Sequence, residues 1–165
     1  MSGEAKVQLS EHARHEIDDW IAKFPQGRQR SAVIAGLHIV QHENQGYLTK
    51  ELMNAVADYL DMPVVQVYEV ASFYSMFETH AVGRNCISVC TNVSCMLCGS
   101  SEIVAHIEKK YGIKTGESTP DGKVFLKTEE ECLAACTGAP MMMVNHRYYE
   151  NLTPAKVDEI LEGLE

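Results

Sequence analysis

All six cysteines of this chain lie in its second half, and they fall into two groups. Four lie in the stretch CISVCTNVSCMLCG, and the other two are the ends of CLAAC, Cys132 and Cys136. No secretory signal is visible at the N-terminus, so we expect a reducing compartment, in which stable disulfides are rare. A lone buried cysteine usually packs as a small apolar residue, whereas closely spaced pairs indicate a metal site or thiol redox chemistry.

Three arrangements of the cysteines fit the spacing. Cys90, Cys95 and Cys98 match the C-x4-C-x2-C of a plant-type ferredoxin, with Cys132 or Cys136 as the fourth ligand. Two chelating pairs, Cys90 with Cys95 and Cys132 with Cys136, would instead each hold one iron of a [2Fe–2S] cluster. Cys95 and Cys98 also form a C-x-x-C, which suits a thiol oxidoreductase or half of a zinc knuckle. The spacing favours iron–sulfur over zinc and leaves the two ferredoxin arrangements open.

Cys86 is the least suitable ligand of the six. It precedes Cys90 by four residues, in a segment whose alternating apolar residues predict a strand. Four strand residues span roughly 13 Å at ~3.3 Å each, which is too far for two thiolates of one small metal centre. We therefore expect Cys86 to pack in the core.

The charge and composition of the chain argue against several functions. A net charge of −9 and a pI of about 5.2 do not suit a nucleic-acid binder, which needs a basic face, or docking on anionic lipid. The sequence contains no run of ~18 apolar residues, so direct membrane insertion is not expected. It contains neither a G-x-G dinucleotide motif nor a P-loop, so any NADH or flavin chemistry would need another chain.

The sequence changes character near residue 80. Residues 1–80 contain no cysteine, and their apolar periodicity predicts a bundle of four short helices. Ser10 and Thr49 are the predicted N-caps of the first and third helices, and Pro63 is predicted in the first turn of the fourth. The apolar residues predicted to face the bundle core are Val33, Ile34, Leu37, Val40, Leu52, Val56, Tyr59, Leu60, Val67, Val70, Ala71 and Tyr74.

Residues 81–165 predict a strand, a helix, a run of strands and a final helix, which is typical of a small α+β domain. Ser100 or Ser101 is the predicted cap of the first of these helices. The Asp121-Gly122 pair predicts a hairpin, and APMMMVN predicts a strand in which at least two of the three methionines fill the core. The helix residues predicted to face inward are Ile103, Val104, Ile107, Tyr111, Val157, Ile160, Leu161 and Leu164, with Gly112 and Thr153 as helix ends.

Two longer segments, ASFYSMFETHAVGRNCISVCTNVSCMLCG and ECLAACTGAPMMMVNHRYYENLTP, resemble the peripheral [2Fe–2S] protein of NADH:quinone oxidoreductase, the E subunit of respiratory complex I. The resemblance covers the chain from about residue 30 to residue 162. It implies an α+β fold, in which an N-terminal helical domain, residues 1–80, precedes a thioredoxin-like [2Fe–2S] ferredoxin domain, residues 81–165. It also implies that the two pairs Cys90, Cys95, Cys132 and Cys136 hold the cluster, which leaves Cys86 and Cys98 outside the ligand set.

The same resemblance implies a function in electron transfer. Single electrons would pass between the cluster and the FMN of a partner flavoprotein, which oxidises NADH and carries a [4Fe–4S] cluster. Further peripheral-arm subunits of complex I would be neighbours, and this chain would supply no catalytic acid, base or nucleophile. The implied location is the cytoplasmic face of the inner membrane for a bacterial chain and the matrix side for a mitochondrial one. The alternatives are a diaphorase subunit of an NAD-linked hydrogenase or formate dehydrogenase and, ranked third, a thiol oxidoreductase or a zinc-held interaction module.

Overall fold

A computed structural model describes residues 7–127 and 132–164 of the chain. The described residues form two compact units that divide in sequence between Ala81 and Val82. Each unit has a hydrophobic core of its own. None of the helices in these ranges is both long and apolar enough to cross a membrane.

Within residues 7–81, four helices form the first unit, as the sequence predicts. They are α1 (Glu11–Ile21), α2 (Val33–Glu43), α3 (Lys50–Tyr59) and α4 (Val64–Phe73). The two predicted caps are confirmed, since Ser10 Oγ accepts the Ala13 N–H at 2.9 Å and Thr49 Oγ1 accepts the Leu52 N–H at 3.2 Å. Pro63 lies one position earlier than predicted, because its extended backbone makes it the N-cap of α4.

The core of the first unit contains most of the predicted apolar stripe. Leu37, Val40, Val56, Leu60 and Val67 are at most 1% exposed. Two members of the stripe were wrongly predicted. Ile34 is 36% exposed because it lies about 100° around α2 from the buried Val33, and Tyr74 is 37% exposed because it follows the last residue of α4.

Within residues 82–164, five short strands form one mixed sheet. They are β1 (Asn85–Val89), β2 (Glu117–Ser118), β3 (Val124–Leu126), β4 (Met142–Val144) and β5 (Arg147–Tyr149), in the order β2-β3-β1-β4-β5. The pair β1 and β3 is parallel, and the other three pairs are antiparallel. The predicted hairpin joins β2 to β3, where Gly122 takes a left-handed φ of 66° and donates its N–H to the Thr119 carbonyl at 2.8 Å.

Three helices accompany this sheet in the described residues. They are α5 (Val93–Leu97), α6 (Ser100–Tyr111) and α7 (Pro154–Glu162). Apolar side chains of α6 and α7 pack with the sheet residues Ile87, Val124, Leu126 and Val144 in one core. Helix and sheet segregate in this unit, which confirms the predicted α+β class.

Most of the detailed predictions for this unit are confirmed. Gly112 ends α6 in a left-handed conformation, and the Thr153 side chain caps α7 by accepting the Lys156 N–H. Met141 and Met142 are fully buried. The predicted serine cap of α6 is wrong, because Gly99 with a φ of 92° is the N-cap and Ser100 is already the first helical residue.

Candidate metal centre

The cysteines of the candidate centre lie on two loops at one end of the sheet. Cys90 follows β1 directly, and Cys95 lies one turn into the short helix α5. Cys132 and Cys136 lie on the loop before β4, where Cys136 begins a turn of 3-10 helix, Cys136–Gly138. Because β1 and β4 are antiparallel neighbours in the sheet, the loop after one strand and the loop before the other lie side by side.

Backbone contacts bind the two loops together. The Cys90 N–H donates to the Met141 carbonyl at 3.1 Å. A cis peptide bond between Ala139 and Pro140 connects the second loop to β4. Asn92 caps α5 by accepting the Val93 N–H with its side chain at 2.9 Å, and this cap sets the direction in which α5 presents Cys95.

The sulfur atoms of both pairs come close together. Cys132 Sγ lies 4.0 Å from Cys136 Sγ. The Cys90 thiol is in hydrogen-bond contact with the thiols of Cys95 and Cys132, which bridges the two loops. Charge on Cys136 also acts on Cys95. Four thiols from two loops therefore face one another, although their role as ligands stays a prediction.

One half of this thiol group is buried, and the other half is open to solvent. Cys90 and Cys95 are 2% and 1% exposed, whereas Cys132 and Cys136 are exposed. Leu133 and Met141 are buried with Cys90 and Cys95 in one apolar cluster. A bound group would therefore have an apolar inner side and an accessible outer side.

Cys90 is the thiol that ionises more readily. Burial raises its pKa, but hydrogen bonds from the backbone N–H groups of Leu133 and Asn92 and from the Cys95 and Cys132 thiols outweigh burial. The pKa of Cys90 consequently lies below its ordinary value. A thiolate at this position is stabilised before any metal arrives.

Cys95 retains its proton to higher pH than Cys90. Burial and the hydrogen bond that its thiol donates to Cys90 raise the pKa of Cys95 to about 11, against the lowering effect of the Met141 N–H. The neighbouring thiols of the first loop thus share one proton at neutral pH. A metal that binds both must displace that proton, because thiolates and not thiols are ligands.

The loop backbone supplies donors to the sulfur atoms. Ala134 adopts a left-handed φ of 61°, and its N–H donates to Cys132 Sγ at 3.4 Å. Cys90 and Cys95 also receive backbone N–H groups, as described above. Soft thiolates in two pairs with N–H donors around them are the environment that an iron–sulfur cluster requires, so these residues fit a [2Fe–2S] group.

The remaining two cysteines have different positions. Cys86 is half-buried at the opposite end of β1 from Cys90, and its N–H donates to Asn145 Oδ1 at 2.9 Å. Cys98 is exposed at the end of α5. Over residues 7–127 and 132–164, no three His, Cys, Asp or Glu side chains are close enough to hold a single metal ion.

Several residues of the centre were not predicted from the sequence. Asn92, Leu133 and Ala134 contribute through backbone N–H groups, which every residue type except proline carries, so the sequence offers no specific signal for them. Asn92 is a partial exception, because an asparagine before a helical segment is a typical N-cap.

The mixed sheet, its helices and the paired thiols define a class, the cysteine-ligated iron–sulfur proteins of thioredoxin-like fold. Residues 17–165 match the family of the thioredoxin-like [2Fe-2S] ferredoxins. The E subunit of the NADH-quinone oxidoreductase of Rickettsia bellii (strain RML369-C) is 44% identical over 147 residues, which are 89% of this chain and 87% of that protein. Its counterpart in Rhizobium meliloti (strain 1021), designated E 2, is 44% identical over 150 residues, or 91% and 87% of the two chains.

More distant relatives show the same pattern. The mitochondrial NADH dehydrogenase [ubiquinone] flavoprotein 2 of Dictyostelium discoideum is 40% identical over 149 residues, which are 90% of this chain and 60% of that one. A chain of an air-oxidized NAD+-reducing [NiFe]-hydrogenase superposes with a TM-score of 0.66 at 24% identity. The match covers 77% of this chain and 22% of that one, and it supports the fold alone.

The chain therefore belongs to the thioredoxin-like [2Fe–2S] ferredoxin family, together with the E subunits of NADH-quinone oxidoreductases. The predicted family, fold class and [2Fe–2S] cofactor are confirmed by these comparisons.

Proposed function

We propose that this chain is the electron-transfer subunit of an NADH:quinone oxidoreductase and that Cys90, Cys95, Cys132 and Cys136 hold its [2Fe–2S] cluster. The observation that carries the proposal is the approach of the two thiol pairs in a chain that is 44% identical to the E subunits of NADH-quinone oxidoreductases. Residues 81–165 form the cluster domain in this proposal, and residues 1–80 form a helical domain.

When bound, the cluster supplies one-electron storage at a potential that its protein surroundings set. The chain contributes the remaining features. Its N–H groups stabilise negative charge on the sulfur atoms, and the buried Leu133 and Met141 exclude water from the inner side. The exposed Cys132 and Cys136 leave one side accessible for electron exchange with a partner. No side chain acts as a catalytic acid, base or nucleophile in this function.

The proposed partner is a flavoprotein subunit that carries FMN, the NADH site and a [4Fe–4S] cluster, within the peripheral arm of complex I. The need for a second chain follows from the sequence, which contains no dinucleotide-binding or phosphate-binding glycine motif. The arm would lie at the cytoplasmic face of the inner membrane in a bacterium, or on the matrix side in a mitochondrion. The hydrogenase alternative receives less support, since the hydrogenase chain is 24% identical and the E subunits of NADH-quinone oxidoreductases reach 44%.

Two measurements test this function. The chain purified without oxygen should contain two iron and two sulfide per polypeptide, appear red-brown, and give an EPR signal only after reduction. A colourless protein that contains zinc would contradict the cluster assignment. An affinity-tagged chain expressed in its own cells should then retain a flavoprotein with FMN and membrane subunits of the complex, whereas copurification of nickel–iron hydrogenase subunits would contradict the respiratory assignment.

A further inference from the structure

Glu150 packs against the turn that contains Cys136. The turn Cys136–Gly138 places Gly138 in a buried position. A Cβ atom added to Gly138 would lie 2.5 Å from both Cβ and Cδ of Glu150 and would also overlap its carboxylate oxygen Oε2. The side chain of Glu150 therefore occupies the space beside the Gly138 backbone, two residues after a proposed ligand.

Backbone hydrogen bonds fix the position of Glu150 relative to this loop. The Asn151 N–H donates to the Gly138 carbonyl at 2.7 Å, and the Leu152 N–H donates to the Pro140 carbonyl at 2.9 Å. Lys156 Nζ donates to the carbonyl of Glu150 itself at 2.6 Å. Because Glu150 and the two residues that follow it are held in this way, the carboxylate is kept at the second cysteine loop.

We propose that Glu150 tunes the reduction potential of the cluster by holding a fixed negative charge beside the Cys136 loop. This inference rests on the proposed ligand set. Reduction adds one electron to an already anionic group of thiolates, so a neighbouring carboxylate disfavours the reduced form and lowers the potential. Glu150 is exposed, so dissolved salt weakens its effect.

The test is a potentiometric titration of the purified full-length chain, followed by EPR at low and at high salt. Glu150→Gln removes the charge while it keeps the shape, and it should shift the midpoint to a more positive potential at low salt. The shift should decrease at high salt, because a through-space charge effect is screened and a change in loop shape is not. Glu150→Asp retains the charge and should stay closer to the parent potential than Glu150→Gln does.

Glu159→Gln is the matched control, because Glu159 is an exposed carboxylate on α7 and its replacement changes the net charge equally. Its midpoint should equal that of the parent chain. An unchanged midpoint in a fully loaded Glu150→Gln variant, or a shift that salt does not reduce, would overturn the tuning role. Where Glu150→Gln fails to load, Glu150→Ala provides the same test.

Iron and sulfide contents separate this inference from the proposed function. If the parent chain carries no cluster, the proposed function fails. If all variants load two iron per chain and the potential does not respond to Glu150, only the inference about Glu150 fails.

Discussion

Cys132 Sγ and Cys136 Sγ lie 4.0 Å apart, and the backbone N–H of Ala134 between them donates to Cys132 Sγ at 3.4 Å. The backbone of the loop thus holds its two thiols as a pair. A preformed pair costs less ordering entropy when an iron binds than two thiols on a mobile segment would.

Replacing either member of this pair by serine should abolish the cluster. We expect Cys132→Ser and Cys136→Ser to retain less than about a tenth of the parent iron, because a structural metal site that loses a ligand loses most of its binding free energy. Cys98→Ser should retain full iron and colour. Iron analysis and the visible spectrum measure both effects, and bleaching of Cys98→Ser would favour the plant-type arrangement instead.

The sequence predicted the close spacing of these cysteines but could not choose between two ferredoxin arrangements. The choice depends on the direction in which α5 leaves β1, which places Cys95 among the buried residues of the centre and leaves Cys98 exposed. The N-cap Asn92 and the left-handed Gly99 set that direction. Both features are local in structure, yet their effect on Cys98 appears only once the helix is built in space.

Two apolar residues of α2 illustrate the limit of periodicity. Leu37 is fully buried, and Ile34, three residues earlier, is 36% exposed. We expect Leu37→Ala to lower the free energy of unfolding by about 2–5 kcal/mol, and Ile34→Ala to lower it by less than about 1 kcal/mol. Urea denaturation followed by circular dichroism measures both. Equal losses would show that Ile34 is buried, as the sequence predicted.

The predictions that succeeded concern short-range chemistry. Ser10, Thr49 and Thr153 cap helices because a side-chain oxygen needs only an N–H a few residues ahead. The order of the strands could not be predicted in the same way. The parallel pairing of β1 with β3 joins Ile87 to Leu126, residues that only the folded chain brings together.

Gly83 shows a further constraint that the sequence did not reveal. A Cβ at this position would lie 2.6 Å from the carbonyl carbon of Val124 and 2.7 Å from its oxygen. Since backbone cannot move aside cheaply, Gly83→Ala should lower the free energy of unfolding by about 1–3 kcal/mol. Gly163→Ala is the control, because its nearest neighbour would be 3.5 Å away, and it should change stability by at most about 0.5 kcal/mol. Thermal denaturation of the two variants decides between these outcomes.

An ion-pair network joins α6 to α7. His106 Nε2 and Lys110 Nζ lie 2.7 Å and 2.9 Å from Asp158 Oδ1. The hydrogen bond from His106, followed by the one from Lys110, lowers the pKa of Asp158 below its ordinary value of 3.8. A carboxylate whose pKa is depressed on folding stabilises the folded state above its unfolded pKa, and the contribution is lost as the pH falls through the folded pKa.

Asp158→Asn should therefore lower the melting temperature at neutral pH. The difference from the parent should disappear as the pH falls below about 4, where the parent also loses the charge. It should also decrease with added salt, since all three side chains are partly exposed. Melting curves between pH 2 and 7 measure the difference, with Glu159→Gln as a control for the loss of one charge. A difference that persists unchanged at low pH would show that Asp158 acts through packing and not through its charge.

Ser100 carries a hydroxyl that the folded chain does not use. The side chain is fully buried, and within the described residues its Oγ has no hydrogen-bond partner. A buried unpaired hydroxyl costs about 1–3 kcal/mol relative to water, so its removal should be favourable. We expect Ser100→Ala to raise the free energy of unfolding, and by about 1 kcal/mol more than Ser101→Ala does. Ser101 is the exposed neighbour in the same helix, so it reports the gain from helix propensity alone. Urea denaturation measures both variants, and a loss of stability in Ser100→Ala would mean that the hydroxyl has a partner.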